Sequence, residues 1–219
     1  MAPQAVDVDH FGAPVADTAR AVARQRAGAG DGDLLVLYVG RLEDEKGVDV
    51  LLEAWRRARL RGARMALAGE GPAAGSAQDV PGAKLLGRVA EGDLPALYAA
   101  ADVLVLPSVR TATFTEPWGL VVNEAMLQRT PPIVSDAVGA AAGGLVRDGR
   151  NGLVFPAGDA GALAARLSAL AQDAGLRARL GARAREDALL LTPAAWAAGA
   201  RQALAAAGAG GRSDGGDSC

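Results

Sequence analysis

Glu116-Pro117-Trp118-Gly119-Leu120-Val121-Val122-Asn123-Glu124-Ala125-Met126 carries two glutamates eight positions apart, with a Pro and a Gly between them. Gly119 suits a sharp turn from loop into helix, and Leu120 to Leu127 reads as the buried helix that follows. The first turn of such a helix offers unpaired N–H groups and a partial positive charge, a seat for a phosphate. Glu116 falls in the loop beside that seat, and Glu124 just over one turn into the helix. Carboxylates flanking an anion site suit a ligand with hydroxyls on both sides of a diphosphate. That is the chemistry of a nucleotide sugar.

Around this stretch the chain alternates short apolar runs with amphipathic ones. Leu34–Val39 is continuously apolar, as in a strand buried on both faces. A polar loop, Gly40 to Gly47, leads to Val48, Leu51, Leu52 and Trp55, one face of a helix expected to end near Arg61-Gly62. Met65–Ala68, Lys84–Leu86, Val103–Leu106, Ile133-Val134 and Leu153–Phe155 read as further strands. A helix marked by Leu94, Leu97 and Tyr98 is expected to be capped by Asp93, and one carrying Leu163, Leu167 and Leu170 by Asp159. Leu176 and Leu180 mark another helix, and Pro193–Ala206 a last one. Six strands mostly separated by helices predict an α/β fold, a doubly wound, Rossmann-like parallel six-stranded sheet covered on both faces. Ligands of such sheets bind beyond the carboxyl ends of the strands, where the glycine-rich loops lie.

Residues 34–206 form this domain. Residues 1–33 read as a lead-in or linker, with Pro3–Phe11 as an extended piece and turn and Asp17–Arg26 as a loose helix. Residues 207–219, rich in Gly, Ser and Asp, read as a disordered tail.

Composition removes several function classes. The 219 residues carry a net charge of −2, so no basic field points to nucleic acid or anionic lipid. No apolar run approaches a membrane span and no signal peptide opens the sequence. The single cysteine, Cys219, cannot build a disulfide framework or a cysteine metal site. The single histidine, His10, read as a surface residue, removes most metal and Ser–His schemes. A reducing, cytoplasmic compartment is the expectation, with no metal or cofactor.

Gly40-Arg41-Leu42 with Lys46-Gly47, then Gly69-Glu70-Gly71-Pro72, Pro107-Ser108, the glutamate stretch, and Asp148-Gly149-Arg150-Asn151-Gly152-Leu153 with Asp159 stand in a fixed order. In that order they resemble the carboxy-terminal, donor-binding domain of retaining GT-B-fold glycosyltransferases, glycosyltransferase family 4. The resemblance covers roughly residues 34–190, with Pro3–Phe11 similar to the segment that enters this domain. It implies that Arg41 and Lys46 hold the diphosphate of a nucleoside-diphosphate sugar, a planar fork and a point charge. Gly40 belongs with them to the donor-binding set; Gly119, Leu120 and Val121 add backbone N–H groups; Glu124 accepts from the ribose hydroxyls. Glu116 lies near the anomeric centre and the sugar hydroxyls, and the backbone of Arg88-Val89 meets the base. Glu70 is read as structural, and Trp118, where many relatives have Phe, could pack under the sugar. For Arg41 and Lys46 another reading stays open, since Glu43, Asp44 and Glu45 lie between them and could simply pair with them.

The resemblance implies transfer of a sugar with retention, through an oxocarbenium-like transition state whose leaving diphosphate is stabilised electrostatically. It also implies a missing partner. GT-B enzymes hold their active site between two such domains, and 33 residues cannot supply the acceptor-binding half. That half is expected in cis or in trans, and any peripheral membrane contact would come only through it. The alternative is a sugar-nucleotide-binding module, or one subunit of a split glycosyltransferase. Two local departures are also legible. Arg129 stands where a helix C-terminus usually has Gly, and Pro132 removes a ladder N–H, tolerable only at the first position of a strand. The segment between Gly71 and Lys84 is short enough that its helix is expected to be vestigial.

Overall fold

The computed structural model describes residues 4–210. Two helices, α1 (Val8–Gly12) and α2 (Asp17–Arg26), precede β1 (Leu34–Val39). Then follow α3 (Val48–Ala58), β2 (Ala63–Ala68), α4 (Ala74–Gln78), β3 (Ala83–Gly87), α5 (Leu94–Ala100), β4 (Val103–Leu106) and α6 (Leu120–Leu127). The chain continues through β5 (Pro132–Ser135), α7 (Gly139–Ala142), β6 (Leu153–Phe155), α8 (Ala160–Gln172), α9 (Ala174–Ala188) and α10 (Pro193–Gly210). The six strands are all parallel, in the order β3-β2-β1-β4-β5-β6.

Alternation along each strand divides the core in two. Leu35, Leu37, Leu104, Leu106 and Val134 face α1, α2, α5 and α6, where they meet Phe11, Tyr98, Val122 and Met126. Leu34, Val36, Tyr38, Val103, Val105 and Ile133 face α3 and α8, against Leu51, Leu52, Leu163 and Leu167. Every residue of β1 and β4 is buried, which is why both read as unbroken apolar runs rather than alternating ones.

The described part of residues 1–33 packs into this same core. Val6, Phe11, Ala23, Ala27 and Ala29 are buried with it, and Arg24 donates to the carbonyls of Ala100 (2.8 Å) and Asp33 (2.5 Å) and to Asp102 (3.2 Å). The extended piece expected over Pro3–Phe11 is helical from Val8 to Gly12, because the Asp7 carboxylate accepts from the His10 N–H at 2.9 Å and starts a turn. α3 stops at Ala58 rather than near Arg61-Gly62, since Arg59 adopts left-handed φ of 47°. Asp93 stands at the N-cap position of α5 but makes no cap bond; a 3₁₀ turn, Glu91–Asp93, precedes the helix and the carboxylate pairs with Arg26 at 3.4 Å. Asp159 does cap α8, accepting from Ala162 N–H at 2.9 Å. Arg129 takes φ of 63° after α6, and Pro132 is the first residue of β5. The helix between Gly71 and Lys84 is α4, 5 residues long. The tail expected over 207–219 is helical to Gly210, the end of α10, and its remainder lies outside the described residues.

Candidate functional site at the carboxyl edge of the sheet

The strand order reverses between β1 and β4, and the loops leaving these two strands face each other across that reversal. The loop after β1 is shaped by local bonds. The Tyr38 hydroxyl donates to the Arg41 carbonyl at 2.5 Å, and Leu42 N–H to the Glu70 carbonyl at 2.8 Å, tying the β1 and β2 loops together. A 3₁₀ turn, Asp44–Lys46, ends at Gly47 with φ of 69°. A Cβ on Gly47 would lie 2.0 Å from the Pro107 carbonyl oxygen, so only glycine lets this loop close against the end of β4.

That approach carries Lys46 to Glu116. Their Nζ and Oε2 lie 2.5 Å apart, with the two side chains only 14% and 9% exposed. The Ser108 hydroxyl donates to the same Oε2 at 3.2 Å, and the Ser135 hydroxyl to the Ser108 carbonyl at 2.5 Å. The Phe114 ring covers the ammonium at 4.7 Å, a cation–π contact. Glu116 is therefore a buried partner in a four-residue network rather than an exposed loop acid. Lys46 passes over the acidic residues beside it in sequence. Arg41 does not: its guanidinium, 58% exposed, pairs with Glu43 and lies 3.4 Å from Glu45. For Arg41 the structure shows the local pairing that the sequence left open.

Gly119 opens α6 with φ of 86°, and a Cβ there would come within 2.5 Å of Leu106 Cδ2. The N–H groups of Leu120 and Val121 precede the first intrahelical acceptor and so are available to an anion. Glu124, one turn on, is partly buried between α5 and α6. The Tyr98 hydroxyl donates to its Oε2 at 2.6 Å. Burial pushes the Glu124 carboxyl above the usual range; the Tyr98 hydrogen bond opposes this, Glu91 adds to it, and His10 opposes it. The Tyr98 phenol, buried beside a carboxylate, is pushed well above its ordinary value and remains a proton donor at neutral pH.

Gly40, Arg41, Glu70, Arg88 and Val89 line a cleft of about 430 Å³ over the ends of β1, β2 and β3. Three strand spacings of about 4.8 Å separate the end of β3 from that of β4, roughly 14 Å in all. This is enough for an extended ligand to run from Arg88-Val89 to Glu116. A second groove, about 460 Å³ between α2 and α5, is mainly apolar, and the charges lining it, Arg26 and Asp93, pair with each other at 3.4 Å. It offers no comparable convergence of polar groups.

Trp118 is 1% exposed and lies under the glutamate loop, its Nε1 donating to Asn123 at 2.8 Å, while Asn123 donates to the Gln4 carbonyl at 2.9 Å. It supports the loop from below and presents no face to the cleft. His10 is partly buried, with Nε2 3.4 Å from the Glu91 carbonyl oxygen, rather than on the open surface. Tyr98 and Ser135 were not legible as site residues, and Ser108 stood in a motif without a role. Tyr98 shows in the sequence only as part of an apolar helix face, and the contacts of the serines span separate strands. Among the described residues no cluster of His, Cys, Asp or Glu could hold a metal ion, and no helix is long and apolar enough to cross a membrane.

Fold and site together define a doubly wound α/β domain whose polar loops converge at the switch point of the sheet. Residues 19–187 match the family of glycosyl transferases group 1, and the chain belongs to that family. It is 36% identical over 208 residues to D-inositol 3-phosphate glycosyltransferase of Salinispora arenicola, a match covering 84% of this chain and 44% of that protein. It is 31% identical over 181 residues to alpha-D-kanosaminyltransferase of Streptomyces kanamyceticus, covering 78% of this chain and 45% of that protein. Among solved structures, sucrose-phosphate synthase from Thermosynechococcus elongatus superposes with a TM-score of 0.75 at 29% identity, over 95% of this chain and 52% of that one. Anabaena HepE in complex with UDP-glucose superposes with a TM-score of 0.74 at 25% identity, over 92% and 56%. The chain thus spans about half the length of the relatives it matches, and its fold is that of the carboxy-terminal domain of a GT-B glycosyltransferase.

Proposed function

We propose that the chain is the donor-binding half of a retaining glycosyltransferase of family 4, which transfers a sugar from a nucleoside-diphosphate sugar to an acceptor. The observation that carries this reading is the switch-point crevice. There Lys46 and Glu116 meet across the reversal of strand order, the first turn of α6 opens beside them, and Glu124 stands beyond it. The bound UDP-glucose of the Anabaena relative supports a sugar nucleotide as the class of ligand.

In this reading the base lies against the backbone of Arg88-Val89, and Glu124 accepts from the ribose. The N–H groups of Gly119, Leu120 and Val121 receive the diphosphate together with Lys46 and with Arg41, which exchanges Glu43 for phosphate. Glu116 faces the sugar. As the glycosidic bond lengthens, positive charge gathers on the sugar and negative charge on the leaving diphosphate. Lys46, Arg41 and the helix N-terminus stabilise the second. No metal is called for, and the protein is read as cytoplasmic. The acceptor-binding half is supplied by residues outside these 219, in cis or in trans. A binding module that holds the donor without transferring it would use the same contacts, and no observation favours it.

Calorimetry with UDP, GDP and ADP, each alone and as a sugar conjugate, tests the reading. At least one should bind, and Glu124→Ala should weaken the nucleoside diphosphate by about 1–3 kcal/mol, the usual cost of a lost charged hydrogen-bond partner. No heat with any of them would overturn it.

A further inference from the structure

The two glutamates are held in the same way. Each makes its side-chain contacts through one carboxylate oxygen, Oε2: Glu116 to Lys46 and Ser108, Glu124 to Tyr98. Among the described residues neither Oε1 has a partner, yet no buried side-chain oxygen or nitrogen lacks one. Neither Oε1 is therefore fully sealed inside the protein. The groups that hold Oε2 are themselves braced from behind. Ser135 donates its hydroxyl to the carbonyl of Ser108 at 2.5 Å, and Thr130 donates its hydroxyl to the carbonyl of Tyr98 at 2.7 Å. Ser108, Ser135 and Thr130 are fully or almost fully buried, at 0%, 0% and 1% exposure, as is Tyr98 at 0%. Hydroxyls inside a core are costly unless their bonds are made, and here each is spent on the same kind of task.

We propose that Tyr98 and Ser108 are positioning residues of the donor site, each fixing one oxygen of a site glutamate so that the other is presented to a ligand hydroxyl. Thr130 and Ser135 hold these two residues in place. The proposal rests on the donor-binding reading above. It adds a division of labour: Tyr98 acts on the nucleoside through Glu124, and Ser108 on the sugar through Glu116.

The division gives each residue its own signature. In Tyr98→Phe the ring stays and only the hydroxyl is lost, so the packing against Phe11, with ring centroids 6.4 Å apart, is kept. Glu124 then loses a bond that favours its charged form, while burial still disfavours it. It should take up a proton at higher pH, and nucleotide affinity should begin to fall at a higher pH than in the native protein. The other charged groups within reach of Glu124 are Glu91, in the turn before α5, and His10 on α1. Glu91→Gln and His10→Gln controls separate their contributions.

The experiment measures affinity for UDP, GDP and ADP, each alone and as its glucose conjugate, from pH 5 to pH 8. It compares the native chain, Tyr98→Phe and Ser108→Ala, with Tm recorded for each. Tyr98→Phe is expected to weaken the nucleoside diphosphate about tenfold at neutral pH and to move the acid limb of the profile upward. Ser108→Ala is expected to leave the nucleoside diphosphate unchanged and to weaken only the sugar conjugate. Equal losses for both ligands in both variants, with an unmoved pH profile, would overturn the proposal in favour of a purely structural role. A native chain that bound none of the six probes would overturn the functional reading and the proposal together. Native binding with both variants indifferent would overturn the proposal alone.

Discussion

Lys46 and Glu116 form the most enclosed ion pair among the described residues, and that enclosure has a cost. Two charges largely withdrawn from water recover their hydration mainly through each other, with Ser108 and the Phe114 ring beside them. Removing one leaves the other stranded. Lys46→Ala and Glu116→Ala should each lower stability by about 3 kcal/mol, and the double variant should cost less than the sum. Urea unfolding of the four proteins checks this, and strict additivity would mean that the pair is not coupled. Arg41 should behave differently. Its partners Glu43 and Glu45 share an exposed loop, so Arg41→Ala should change stability by no more than about 0.5 kcal/mol. In the proposed reading its contribution is made to the ligand.

At the scale of elements, α6 is organised by its first residue. Gly119 combines a left-handed φ of 86° with a Cβ direction blocked by Leu106 at 2.5 Å and Val138 at 3.2 Å. Gly119→Ala is expected to cost about 1–3 kcal/mol in strain and to tilt the first turn of the helix, which carries the N–H groups of Leu120 and Val121. Diphosphate affinity should fall together with Tm, and calorimetry beside a melting curve reads both. A variant with native affinity would show that the helix N-terminus is not the anion seat. The other end of α6 tolerates strain: Arg129 holds a left-handed φ of 63° without glycine, and Arg185 bonds the Leu127 carbonyl just before it. Its position is set by α9 as much as by its own sequence.

The crevice opens along one edge of the sheet, and the chain spans 44% of its Salinispora relative. In the proposed reading the acceptor-binding half supplies the second wall, and without it the site would stay wet and its electrostatics would act at reduced strength. The 219-residue chain alone should bind donor and release nucleoside diphosphate by slow hydrolysis at most, with no transfer to an acceptor. Assaying it alone and then mixed with a separately expressed acceptor domain, while following nucleoside diphosphate release, tests this. Robust transfer by the chain alone would remove the need for a second half.

The sequence by itself determined most of the elements, though not α1, where it reads an extended piece, nor the short α7. Strands buried on both faces must be unbroken apolar runs, so β1 and β4 were legible to the residue, and Gly119 announced α6 because the turn admits no side chain. Tertiary structure decided which charges meet. Glu43, Asp44 and Glu45 lie within three residues of Lys46, yet it pairs with Glu116, 70 positions away, because β1 and β4 are neighbours in the sheet and Gly47 lets their loops touch. Tyr98 reaches Glu124 across 26 positions for the same kind of reason, as α5 packs beside α6. Local pattern fixes where the chain turns and which face is apolar. The partner of a buried polar group depends on which distant segment the sheet order brings beside it, and no periodicity in the sequence records that order.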